Sequence, residues 1–222
     1  KELGKPFFIG GYYYESLKDG GKYYNSAILI SNDTDIQYYH KHVLLPFGEF
    51  MPLGSIFPKL KELVPAVGDF GSGTGPMLLK SSVAGLEINF APNICYEVLK
   101  PSYVRRTVML GANLIFNFTN DSWFGSIEPY QHLRLSVMRA VENRRPIVRS
   151  TNTGVSAFID MNGVVVSKSD VGVQETLKFE APVCEPNVFS FYSKYGWFFV
   201  YLLGLFITGL FLYPIIIKRV KK

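Results

Sequence analysis

A cysteine between a run of apolar residues and a helix-like stretch is placed to act as a nucleophile, and Cys95 stands there. Leu86 to Ile94 read as a strand, Cys95-Tyr96-Glu97 follow, and Pro101-Ser102 open a helical pattern. A thiol at a strand tip facing the start of a helix meets backbone N–H groups that stabilise a thiolate and later an oxyanion. A second group, Lys41, leads the short apolar run Val43-Leu44-Leu45 into a turn, Pro46-Phe47-Gly48-Glu49, that carries a carboxylate. An ammonium near a thiol lowers its pKa from about 8.5 and donates to a developing oxyanion. In a third segment, Asn117-Phe118-Thr119-Asn120-Asp121-Ser122-Trp123-Phe124-Gly125, a strand ends in polar turn residues and exposes two aromatics. Singly these are a solvated lysine, a small core thiol and a turn. Together they point at one site with the layout of a thiol nucleophile.

The elements that must position these groups alternate between strand and helix. Strand-like runs cover 6–10, 23–30, 86–94, 113–118, 146–150, 155–159 and 163–166. Residues 102–110 read as a helix. A longer helix begins near Pro129, with Leu133, Val137, Met138 and Val141 as its apolar stripe. Asp160-Met161-Asn162-Gly163 is a hairpin turn. Half-buried strands interleaved with helices predict an α/β sandwich. Residues 51–75 are apolar yet punctuated by Pro52, Pro58, Pro65 and the glycines of Gly71-Ser72-Gly73-Thr74-Gly75. They read as a lid dipping toward lipid or as a satellite cluster under a long loop.

With 222 residues, 48% of them hydrophobic, the chain can bury a large core. Its net charge of +5 is concentrated in Lys218-Arg219-Val220-Lys221-Lys222, so a nucleic-acid-binding face is not expected. Residues 196–217 hold no group charged at neutral pH and are expected to form a transmembrane helix, with Tyr195 and Trp197 at its entry. The basic tail 218–222 then stays cytoplasmic and the catalytic domain lies on the other face. The expected organisation is a catalytic domain over 1–190, a short linker over 191–195, the span and the tail. The sequence opens on Lys1 without an initiator Met or signal-peptide pattern, so it is expected to be part of a longer product. Cys95 and Cys184 are expected to be free thiols. No metal or cofactor is expected. His40, His42 and His132 lack companions at zinc-like spacing, and Gly71–Gly75 lacks the lysine of a phosphate loop.

In order and spacing, the segments around Lys41, Cys95 and Asn120 resemble the carbon-nitrogen hydrolase (nitrilase) superfamily, and within it the bacterial lipoprotein N-acyltransferase branch. Tyr23-Tyr24-Asn25-Ser26-Ala27, Pro129-Tyr130-Gln131-His132, the run Arg139 to Arg149 and Thr151-Asn152-Thr153-Gly154-Val155-Ser156 add to the likeness. The resemblance implies an α-β-β-α sandwich and a Glu-Lys-Cys triad. Cys95 matches the nucleophile and Lys41 the triad lysine, while Glu49, Tyr96 and Glu97 match accessory positions. The triad glutamate of the family lies in a Pro-Glu motif upstream of the strand matching Phe7-Phe8-Ile9-Gly10, and neither Glu2 nor Glu15 sits in that motif. The implied reaction takes an acyl chain from a phospholipid and delivers it to the α-amine of a lipoprotein N-terminal diacylglyceryl-cysteine. The implied setting is the bacterial inner membrane, with the catalytic domain on its extracytoplasmic face. Trp123, Phe124 and Asn120 are candidate substrate contacts. A membrane-tethered amidase and a catalytically silent scaffold are the other readings.

Overall fold

The computed structural model describes residues 5–220 apart from 17–19, 32–35, 65–66, 124 and 126; the side chains of 61, 63, 123, 197 and 215–220 are likewise not described. Two sheets form. β1 (Phe7–Glu15), β2 (Lys22–Ile30) and β3 (Ile36–His40) make an antiparallel three-stranded sheet in chain order. β4 (Leu79–Val83), β5 (Leu86–Ile94), β6 (Leu114–Thr119), β7 (Ile147–Thr151), β8 (Ala157–Ile159) and β9 (Val165–Lys168) make a six-stranded sheet, also in chain order. Its β5, β6 and β7 run parallel, and the outer pairings are antiparallel. A short α1 (Lys59–Leu63) lies between β3 and β4 in the chain; parallel neighbours require crossovers, and α2 (Pro101–Met109) and α3 (Glu128–Asn143) supply them.

Two cores follow from the alternation of side chains along these strands. Ala27, Leu29 and Tyr39 of the small sheet meet Leu79, Ile88, Phe90 and Leu114 of the large one. Phe8 fills the gap, stacked on Phe116 at 4.6 Å and edge-on to Phe90 at 5.2 Å. On the other side of the large sheet, Ala91, Ile115, Ile147 and Ile159 meet Val104, Val108 and Ala140 of the helices. β5 is therefore buried on both faces toward its C-terminal end, the end that leads into Cys95.

Several expectations need correction. Among the described residues the small sheet has no helical layer over its outer face, where Phe7, Ile9, Ile36 and Tyr38 are exposed. The described residues thus supply the helices-on-sheet-on-sheet part of the expected sandwich. β3 and β4 were not expected, because Gln37, Lys80, Ser81 and Ser82 dilute their apolar pattern. The inner face of α3 differs from the expected stripe. His132, Leu133, Ser136, Arg139, Ala140 and Asn143 are buried, while Met138 and Val141 are exposed. Residues 191–195 are not a linker but the beginning of α4 (Phe191–Val220), capped by Ser190 Oγ, which accepts from Ser193 N–H at 2.9 Å. No helix among the described residues is long and apolar enough to cross a membrane.

Candidate active site

β5 delivers Cys95 to the point where the chain leaves the sheet for a short 3₁₀ helix, Cys95–Leu99. There its backbone adopts φ +49°, in the left-handed region. For a residue with a Cβ this conformation is costly, and such strain concentrates at functional turns. Half-buried, the sulfur lines a cavity of about 710 Å³ together with Lys41 and Glu49. Gly10, Tyr12, Phe70 and Phe118 form one side of this cavity, and Thr119, Asn120, Thr151 and Asn152 form another.

Lys41 follows β3 and is 1% exposed. Its Nζ donates to Glu49 Oε2 at 2.6 Å. A turn brings the two together: Phe47 sits at φ +62°, its N–H bonds to Phe50 O, and Leu45 N–H donates to Glu49 Oε2 at 2.7 Å. Asn25 Nδ2 reaches the other carboxylate oxygen at 3.1 Å. Glu49 thus orients the ammonium and compensates a charge that would be costly to bury alone.

Beneath the turn, Glu97 joins the lysine segment to the strand end before Cys95. It is fully buried, and its Oε2 accepts from Ile94 N–H at 2.8 Å. Oε1 accepts from His42 N–H at 2.8 Å, Val43 N–H at 3.0 Å and Tyr39 Oη at 2.6 Å. Tyr39 Oη also pairs with Tyr103 Oη. One carboxylate therefore ties the residue before Cys95 to the two residues after Lys41. Burial raises its pKa above the usual 4.5, against the pull of the four donors.

The thiol departs from expectation. Burial dominates and raises the Cys95 pKa above 9.0. Lys41 and a hydrogen bond from Tyr96 N–H pull it down, while Glu49 and Asp121 push it up. The lysine charge is shared with Glu49, so Cys95 rests as a thiol and needs a base to react. Iodoacetamide labelling of Cys95, followed by peptide mass spectrometry, is expected to be slow at neutral pH and still accelerating past pH 9. A rate that levels off below pH 8 contradicts this account.

Sequence reasoning missed a buried ionic chain at the ends of β6 and β7. Arg149 donates to Asp121 Oδ2 at 2.8 Å, to Asn117 Oδ1 and to Val155 O. Asp121 Oδ1 lies 3.2 Å from His132 Nδ1, and His132 Nε2 lies 2.7 Å from Glu128 Oε1. His132 therefore has carboxylate companions after all, drawn from sequence positions that zinc-like spacing does not describe. Both ring nitrogens of His132 face a carboxylate, and Arg149 occupies the far side of Asp121. Above it, Asn152 Nδ2 donates to Asn120 Oδ1 at 2.7 Å, and Asn152 Oδ1 accepts from Asp121 N–H. Arg149 and Asn152 lie in segments that carried the family likeness, the signal that could have found them. Tyr96 flanks the sulfur, and its ring carries Lys100 Nζ at 4.5 Å. Phe124 and the Trp123 side chain lie outside the described residues.

A strand-tip cysteine thus lines one cavity with a buried lysine–glutamate pair, in an α/β fold of two sheets. The chain belongs to the carbon-nitrogen hydrolase family, whose description matches residues 4–180. It is 38% identical to the apolipoprotein N-acyltransferase of Bdellovibrio bacteriovorus over 90% of this chain and 38% of that protein. It is 36% identical to that of Geobacter metallireducens over 88% of this chain and 37% of the relative. The chain thus spans about two fifths of the length of these curated relatives. In fold it is similar to a carbon-nitrogen hydrolase from Helicobacter pylori, with a TM-score of 0.59, 14% identity, and coverage of 77% of this chain and 60% of that one.

Proposed function

We propose that the protein is an N-acyltransferase that moves a fatty acyl chain from a phospholipid to the α-amine of a lipoprotein N-terminal diacylglyceryl-cysteine. The observation that carries this reading is Cys95 lining one cavity with the Lys41–Glu49 pair, in a chain whose curated relatives are named apolipoprotein N-acyltransferases. Cys95 attacks the ester carbonyl, and Lys41 with the Tyr96 N–H receives the oxyanion. The general base is the glutamate that the family supplies from its Pro-Glu motif. An amine then attacks the thioester.

Two apolar surfaces support a membrane setting. Phe47, Leu53, Ile56 and Phe57 are exposed in the segment that begins at the cavity, which suits a lid dipping into lipid. In α4 the side chains from Phe199 to Tyr213 are exposed and mostly apolar, a surface that suits the span proposed over 196–217. On this reading the basic tail stays in the cytoplasm and the site lies on the opposite, extracytoplasmic face of the bacterial inner membrane.

The protein expressed from its gene, incubated with phospholipid vesicles and a diacylated lipopeptide, is expected to yield the N-acyl amide. Release of free fatty acid without amide supports the tethered amidase instead. No turnover of either kind, with correctly folded protein, leaves the scaffold reading.

A further inference from the structure

The cavity around Cys95 has two unlike sides, and the proposed reaction needs two unlike directions. An ester carbonyl carbon bears an acyl chain and an alkoxy group, which must diverge once the carbonyl sits at the sulfur. Toward β1 and Phe70 the lining is Gly10, Tyr12, Phe70 and Phe118. Gly10 matters here, since a Cβ on it would stand 3.4 Å from the Phe118 side chain and narrow that side. Toward the ends of β6 and β7 the lining is Thr119, Asn120, Thr151 and Asn152.

This polar side is built rigidly. Asn120 Oδ1 accepts from Asn152 Nδ2 at 2.7 Å and from Ser122 Oγ at 2.6 Å, which fixes the amide plane of Asn120 and commits only its oxygen. Its Nδ2 donates to none of the described residues, and Asn120 is part of the cavity lining. Beneath, the Asp121–Arg149 pair is fully buried and anchors the residue that follows Asn120. Gly154 permits this packing, because a Cβ there would overlap Asp121 Oδ2 at 1.8 Å.

Resting on the reading above, we propose that the Asn120–Asn152 rim is the single subsite for both the departing glycerol oxygen of the donor and the incoming amine of the acceptor. In the first step the S–C bond forms, the ester C–O bond breaks and the thiol proton ends on the departing alcohol. In the second the C–N bond forms, the C–S bond breaks and the amine proton returns to sulfur. Leaving and attacking groups use the same side of the acyl carbon, so one polar rim serves both steps. Asn120 Nδ2 is the donor aimed at that locus, and Asn152 holds it there.

The test compares acylation of Cys95, read by intact mass, from phosphatidylethanolamine vesicles and from p-nitrophenyl palmitate. The second donor carries the chain without glycerol, and its good leaving group needs no hydrogen bond. In Asn120→Ala and Asn152→Ala the ratio of phospholipid to p-nitrophenyl rates is expected to fall about tenfold, the loss of one or two hydrogen bonds to the reacting groups. An unchanged ratio overturns the rim assignment while leaving the proposed function standing. A native protein inert to the phospholipid overturns both. Because p-nitrophenyl palmitate also reports a competent thiol, a variant that only misfolds lowers both rates together and likewise counts against the rim.

Discussion

Cys95→Ser is expected to abolish the acyl adduct that phospholipid leaves on the native protein, with a rate loss on the order of 10⁴-fold or more. The size of the effect follows from the site. The sulfur is held at a strained strand tip beside the Lys41 ammonium, and burial keeps it protonated until a base acts. A serine hydroxyl in the same place is far less acidic, so the same base and cation do not activate it. Lys41→Met is expected to be milder, at about 10²- to 10³-fold, because it removes one oxyanion donor while the Tyr96 N–H remains. It also strands the Glu49 carboxylate with only Leu45 N–H and Asn25 Nδ2. Intact-mass measurement after phospholipid treatment checks both variants. An adduct that persists in Cys95→Ser, or maps to Cys184, removes the nucleophile assignment.

The strand-tip position of Cys95 was legible because nine residues of strand lead to it without a break and a proline-started helix follows. Those are local signals. The pairing of Lys41 with Glu49, eight residues apart, fits neither helical nor strand periodicity and comes from a turn in which Phe47 takes a left-handed conformation. Family likeness, rather than pattern, pointed to it. The chain from Glu128 to Arg149 was hidden for a different reason. Its members come from α3, β7 and the turn after β6, and only the order of strands in the sheet brings them together. The same burial of polar groups under α3 misled the apolar stripe, since His132, Ser136 and Asn143 face inward where a hydrophobic period was sought. The thiol pKa was misjudged because proximity to a lysine can be read from sequence, whereas desolvation cannot.

Glu97 is where fold and site depend on the same atoms, and its replacement is expected to cost more stability than that of any single partner. Glu97→Ala leaves Ile94, His42 and Val43 with buried N–H groups lacking an acceptor, and leaves the Tyr39 hydroxyl with Tyr103 alone. Each orphaned group costs about 1–3 kcal/mol before relaxation and water entry, so a net loss of about 3–5 kcal/mol is expected. In a domain of this size that lowers the melting temperature by about 10 °C. Glu97→Gln keeps the shape but turns one acceptor into a donor facing other donors, and should fall between Glu97→Ala and Tyr39→Phe, which removes one bond. Because Ile94 immediately precedes the nucleophile, the geometry of Cys95 should loosen in the same order. Thermal melts and iodoacetamide labelling of Cys95, measured on one series of variants, should therefore rank Ala, Gln and Phe alike. A glutamine variant that melts and labels like the native protein would show that Glu97 merely fills space, and that something else holds the lysine segment against the strand tip.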